Sequence, residues 1–330
     1  MEPDRTQVLL VAARGGDERS FTELVEPYRR ELHQHCYRML GSVHDADDVV
    51  QESLLRAWKS IESFDGRQPV RPWLYKIATN RCLTALGSRQ RRELPTDLSP
   101  RSASTPGREW LEPYPDGRLG LDALTPEARV VARERVELAF VAALQQLSAR
   151  QRAVLMLRDV LGFSAAEVSG LLDTTVAAVN SALQRARGVM RERMPPRSQQ
   201  QELADLGDEE VRAIAARYAS AWEASDIEGI VSMLAEDVRL AMPPTPEWYE
   251  GPEAVRAVLS AGPITHRWLV LPTWANGQLA FGFYRWHEQR GVFVGEGVNV
   301  LTLRTGRIAA ITSFLLPDLE AYGLVPEVAS

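Results

Sequence analysis

The residues with the clearest chemistry lie between 164 and 191. Two short helical segments, Ser164–Leu172 and Val176–Met190, are separated by the tight turn Asp173-Thr174-Thr175, which are helix-turn-helix proportions. On the second segment, helical spacing sends Val176, Val179, Leu183 and Ala186 toward a core. Ala177, Asn180, Ser181, Gln184, Arg185 and Arg187 are left on the outward arc. Small residues let such a helix approach a groove. Asn and Gln can pair bidentately with adenine, and Arg serves phosphate or guanine. The same pattern also fits a solvated helix in an ordinary bundle.

A second cluster lies in 64–92: Phe64, Arg67, Arg71, Trp73, Tyr75, Lys76, Asn80, Arg81, Arg89, Arg91 and Arg92. Cations interleaved with aromatics suit melted nucleic acid, because phosphates are neutralised while unstacked bases find π faces. Trp73, Leu74 and Ile77 equally fit a plain core, and Arg89–Arg92 a solvated helix end. A third cluster is acidic. Asp45, Asp47, Asp48 and Glu52 open a helix, where negative charge is favourable. That fit to the helix end is one reading of the charge; the other is a docking face for a basic partner, since Asp48, Gln51, Glu52 and Arg56 share one surface.

The elements that hold these clusters are mostly helices. Phe21, Leu24, Val25, Tyr28, Leu32 and Tyr37 form one apolar stripe, ended by Gly41-Ser42, and Asp45 is read as the cap of the next helix. Pro72 suits a helix start. Residues 93–126 contain Pro95, Pro100, Pro106, Pro113, Pro115 and Pro126 and read as a linker. Helical signals return over 127–194, with Ser148 and Ser164 as caps, until Pro195-Pro196. The tail differs. Helices near 208–224 and 226–235 precede strands near 265–274, 278–287, 292–303 and 307–315, with Asn276-Gly277 and Thr305-Gly306 as hairpin turns.

The chain has 330 residues, 45% hydrophobic and 25% charged, which excludes wholesale disorder and favours several domains. Its net charge of −6 is unevenly spread. Residues 201–330 carry 18 acids against 9 arginines, about −9, whereas 1–200 carry 29 basic and 26 acidic residues, about +3. The two parts are therefore expected to have different partners, or to attract each other. Two cysteines, Cys36 and Cys82, cannot build a disulfide framework. No apolar run reaches membrane-spanning length and the N-terminus lacks a signal-peptide core, so a cytoplasmic protein without membrane contact is expected.

Taken together, the clusters resemble the extracytoplasmic-function sigma factors, small specificity subunits of bacterial RNA polymerase. Asp45-Ala46-Asp47-Asp48-Val49-Val50-Gln51-Glu52-Ser53-Leu54-Leu55-Arg56-Ala57-Trp58 is similar to that family's core-binding segment, and Trp73–Asn80 to its segment reading the minus-ten element. Leu147–Val154 and Val179–Arg187 resemble its second helical domain. The resemblance implies that Asp45, Asp48, Gln51 and Glu52 dock on a coiled coil of the largest polymerase subunit. It assigns Phe64, Arg71, Trp73, Lys76 and Asn80 to the minus-ten element. Thr175, Ala177, Asn180, Ser181, Gln184, Arg185 and Arg187 fall to the minus-thirty-five element. The linker, with Glu109, Glu112 and Asp116, would run along the polymerase toward the RNA exit path. Asn180, Ala182 and Thr84 depart from residues common in the family, which bears on promoter preference.

The tail resembles a SnoaL-like α+β domain, an extension of the group that includes the mycobacterial G- and J-type factors. The implied organisation is multidomain: a helical region-two domain (1–92), the linker (93–126), a helix-turn-helix region-four domain (127–195) and a cone-shaped α+β domain (205–330). Such a tail encloses a pocket, for which Trp222, Trp248, Trp274 and Trp286 are candidates beside Tyr284, His287 and Asn299, although each aromatic also fits plain core. The tail is expected to regulate the sigma domains, by contact with them or with polymerase. The alternative is a small-molecule-binding or isomerase-like module. No catalytic residue, cofactor or metal is expected: His33 and His35 diverge on a helix, and no phosphate loop or nucleophile elbow is present.

Overall fold

The structure is a computed structural model and describes residues 5–64, 66, 69–87, 92, 94, 109–315 and 318–329. Arg67, Arg89 and Arg91 of the basic cluster lie outside the described residues. The architecture is helical domains followed by a helix-and-sheet domain, as expected. In chain order the first helices are α1 (Arg5–Arg14), α2 (Glu18–Leu40), α3 (Val43–Ser60), α4 (Val70–Gly87), α5 (Pro126–Glu134) and α6 (Leu138–Gln145). Then come α7 (Ala149–Leu155), α8 (Ala165–Leu171), α9 (Val176–Arg193), α10 (Gln199–Glu223), α11 (Ile227–Ser232) and α12 (Pro252–Ser260). The strands are β1 (Leu234–Ala241), β2 (Trp248–Glu250), β3 (Trp268–Ala275), β4 (Gln278–His287), β5 (Val292–Arg304), β6 (Arg307–Leu315) and β7 (Glu327–Ala329).

These elements form two compact units that do not follow the chain in simple succession. One comprises Met1–Arg91 with Ala143–Met194, the other Arg92–Ala142 with Pro195–Ser330. In the first unit, the Asp17 carboxylate caps α2 by accepting from the Arg19 and Ser20 amides. Gly41 ends it in the left-handed region, with φ of 75°. The cap of α3 is Ser42 rather than Asp45: the Ser42 hydroxyl accepts from the Asp45 amide at 3.0 Å. Leu32, Tyr37, Val50, Leu74, Tyr75 and Ala78 build the core. His35 is buried there, 2.9 Å from the Thr79 hydroxyl, and burial lowers its pKa to about 3, so it is neutral. His33 faces Asp47 at 3.2 Å, so the two imidazoles do diverge.

The second half of this unit uses sequence-legible caps. Ser148 and Ser164 each close a full capping box, with Gln151 and Glu167. A π-helical turn, Met156–Val160, follows α7. Arg152 is buried and donates to the main-chain oxygens of Met39, Gln145 and Leu147, which lashes α7 to the end of α2.

The second unit is built on a seven-stranded sheet, ordered β2-β1-β6-β5-β4-β3, with β7 on β5. All pairings are antiparallel except β1 with β6. Both turns read from sequence form hairpins, with positive φ at Asn276, Gly277, Thr305 and Gly306. The helix expected near 208–224 begins earlier, at Gln199, and kinks at Gly207. The one expected to reach 235 stops at Ser232 because β1 begins at Leu234. Tyr218, Trp222, Phe281, Phe283, Leu301 and Ile311 are central to the core.

Segment 109–142 is folded onto this sheet domain, so its described proline-rich part (109–126) is not a free tether. The Asn276 side chain accepts from the Tyr114 amide at 2.8 Å and donates to the Val136 carbonyl at 2.6 Å. The Gly277 amide donates to Asp116 Oδ1 at 2.7 Å, and the Leu138 amide to Gln278 Oε1 at 2.9 Å. A side chain at Gly277 would put a Cβ 2.7 Å from that of Arg133, so the turn also needs glycine for packing. Asp116, one of the three acids read on the linker, is therefore buried.

Candidate nucleic-acid and polymerase interfaces

Three clusters of the first unit carry the chemistry read from sequence, and those on α9 and α3 form exposed faces. Thr175 caps α9, its hydroxyl accepting from the Ala178 amide at 3.2 Å. From there Ala177, Asn180, Ser181, Gln184, Arg185 and Arg187 are all exposed, while Val179, Ala182, Leu183, Ala186 and Met190 are buried. One core assignment fails: Val176 is 42% exposed, and Ala182 occupies the inward side. The first two turns of α9 thus present Val176, Ala177, Ala178, Asn180 and Ser181 to solvent, short side chains that allow close approach to a base edge. Arg187 differs from the others, because its guanidinium is held by both oxygens of Asp159 at 2.8 and 2.7 Å.

The α4 cluster is less uniform. Phe64 is buried and stacks on Trp73, with ring centroids 4.6 Å apart. Arg71 is locked bidentately on Glu31 and lies over the rings of Tyr75 and Phe163, 5.1 and 5.4 Å away. Asn80 is exposed. Lys76 donates to the Gly170 carbonyl and to Asp173, both at 3.1 Å. Its ammonium is therefore engaged by the turn between α8 and α9, a contact that no local sequence signal announced.

On α3, Asp48, Gln51 and Glu52 lie on one accessible face. Asp45 does not join them: it sits in the first turn beneath the Ser42 cap and is 8% exposed, so it does not serve as a surface contact. Glu52 pairs with Arg56 at 3.1 Å and Arg81 at 2.6 Å. Partial burial opposes its ionisation, but the Arg81 and Arg56 bonds prevail and hold the carboxyl below the usual range.

Of the four tryptophans expected around a pocket, only Trp222 lines the cavity of the second unit. Trp248 packs under Arg239, Trp274 under Arg133, and Trp286 against Phe293 and Arg267, so each is occupied elsewhere. Trp268 and Phe283, which carry no distinguishing sequence signal, line it instead, beside Asn299.

The comparisons with known proteins agree with this arrangement. Residues 24–92 match the model of sigma-70 region 2, residues 137–190 that of sigma-70 region 4, and residues 215–311 that of the SnoaL-like domain. The chain is 44% identical over 313 residues to the ECF RNA polymerase sigma factor SigG of Mycobacterium tuberculosis (strain H37Rv), covering 91% of this chain and 82% of that protein. The chain belongs to the extracytoplasmic-function sigma factors. This sigma factor is also 32% identical over 179 residues to SigW of Bacillus subtilis, covering 54% of this chain and 91% of that one. SigJ of M. tuberculosis shares its fold: the TM-score is 0.59 at 24% identity, over 92% of this chain and all of that one. As a member of this family it acts in promoter-specific transcription initiation, and its sigma domains bind polymerase core and promoter DNA. Among the described residues no helix is long and apolar enough to cross a membrane.

Proposed function

We propose that this sigma factor docks on a basic coiled coil of the largest polymerase subunit through Asp48, Gln51 and Glu52. In this reading α4, through Asn80, Arg71, Lys76 and the Phe64–Trp73 stack, engages the melted minus-ten strand. The exposed arc of α9 reads the minus-thirty-five element, with Arg185 on phosphate or guanine and Asn180 and Gln184 on base edges. The observation that carries the reading is the clean partition of α9, which turns amides, a hydroxyl and arginine to solvent above an apolar inner face. Lys76 cannot hold a phosphate while it is held by Asp173 and the Gly170 carbonyl, so promoter engagement includes breaking that pair.

The protein works in the cytoplasm beside its polymerase. The sigma domains supply recognition and no catalytic step, and the C-terminal domain modulates them. The decisive experiment is reconstituted transcription with core polymerase on a library of promoter fragments. Wild type selects a defined set of start sites, Asp48→Arg loses core binding, and Asn180→Ala with Gln184→Ala relaxes selection upstream while core binding persists. Start sites indifferent to the added protein would refute the reading.

A further inference from the structure

Val176, which helical spacing sends toward the core, stays 42% exposed as the first residue of α9. Side chains on a helix tilt toward its N-terminus, so this one projects ahead of the helix, where no earlier turn covers it. In a helix-turn-helix the opening residues of the second helix are the ones that meet base edges. Polar groups beside Val176 are already engaged. The Thr175 hydroxyl oxygen accepts from the Ala178 amide at 3.2 Å, and the Asp173 carboxylate holds Lys76 at 3.1 Å. Ala177 and Ala178 are exposed and carry only methyl groups. The leading turn of α9 is therefore alkyl throughout. In the major groove a base pair displays one apolar group, the 5-methyl of thymine, and alkyl side chains are what recognise it. Asn180 and Gln184 follow Val176 at four-residue steps, and both are exposed. Four residues advance a helix by about 6 Å, against about 3.4 Å per base pair. Val176 and Asn180 thus address positions no more than about two base pairs apart.

We propose that Val176 reads the 5-methyl group of a thymine in the minus-thirty-five element, close to the adenine that Asn180 pairs. This role rests on the reading of α9 as the helix that enters that element, and it adds a base selected by apolar contact rather than by hydrogen bond. Holoenzyme reconstituted from core polymerase and the full-length protein is titrated, at one salt concentration, with a fragment that it selects from the promoter library. Matched fragments carry deoxyuridine in place of each single thymine of the upstream element, on either strand. The exchange removes the methyl group and keeps the base pair. One position is expected to lose about fourfold in affinity, the worth of one apolar carbon taken out of water. With Val176→Ala the thymine and uracil fragments should bind alike, and with Val176→Ile the preference for thymine should persist. The comparison on wild type needs no variant, so it stands even if a substituted protein folds poorly. Uracil tolerated at every position, a methyl effect unchanged in Val176→Ala, or a selected element without thymine would each overturn the proposal while other base-pair changes there still weaken binding. If no base-pair change in the element affects binding, the reading of α9 itself falls, and this role with it.

Discussion

Replacing Asn276 with glycine tests whether one turn secures segment 109–142 to the sheet domain. Asn276 is fully buried with φ of 55°, and glycine adopts that conformation without strain, so the substitution removes only the side chain. Two hydrogen bonds go with it, from the Tyr114 amide at 2.8 Å and to the Val136 carbonyl at 2.6 Å. Tyr114 and Val136 are both fully buried, so each stranded main-chain group costs about 1–3 kcal/mol. The Asn276 amide still reaches the Tyr114 carbonyl at 2.7 Å, which keeps the total at roughly 2–4 kcal/mol. Hydrogen exchange read by mass spectrometry should then show amides of 109–142 exchanging about 30- to 1000-fold faster, at about 1.4 kcal/mol per factor of ten. Peptides from β4 and β5 should be unchanged. Unaltered exchange in 109–142, or equal acceleration across the sheet, would refute the reasoning.

Asp48→Arg should abolish association with core polymerase in a pull-down while shifting unfolding by less than about 0.5 kcal/mol, because the carboxylate is largely exposed. Arg185→Ala should weaken promoter binding and reduce the slope of log K against log salt by about 0.9, as expected when one phosphate is no longer neutralised. Arg152→Leu strands the Met39, Gln145 and Leu147 carbonyls and should lower stability by at least about 3 kcal/mol in thermal unfolding. Burial raises Asp116 to about 6 and Glu137 to about 7, against the pull of backbone amides on each. A carboxyl that binds its proton more tightly when folded stabilises most at low pH, and this contribution falls between about pH 4 and 7. Glu137→Gln keeps an acceptor for the Gln200 amide and should flatten that fall in chemical denaturation, and equal slopes for the two proteins would refute the assignment.

The sequence made the helical half legible wherever a cap and a period coincide. Ser148 and Ser164 mark their helices, and the outward arc of α9 followed from spacing alone, Val176 excepted. Val176 is the first helical residue, where no preceding turn exists to shield its side chain. Ser42 and Asp45 both suit a cap three residues apart, and only the folded chain decides between them. In the tail, the hairpins at Asn276-Gly277 and Thr305-Gly306 were plain, but β1 was not. Its burial does not alternate, and it lies parallel to β6, a pairing made 71 or more residues away that leaves no local trace. Trp222 was identifiable as a cavity residue by type, whereas Trp248, Trp274 and Trp286 shared the type but pack against arginines that sequence cannot place beside them. The six prolines of 93–126 announced an irregular path, and they said nothing of what that path is fastened to.

The turn at Asn276 also sets a timetable for biosynthesis. The Tyr114 amide is synthesised 162 residues before the side chain that satisfies it. At roughly 5–20 residues per second, a ribosome leaves that gap open for about 8–30 s. Both sequence stretches of the first unit are made before the gap closes, so they can assemble while the stretch joining them is still unpinned. A message interrupted before codon 276 would yield a product with both stretches of the first unit and a connector that never acquires its clasp.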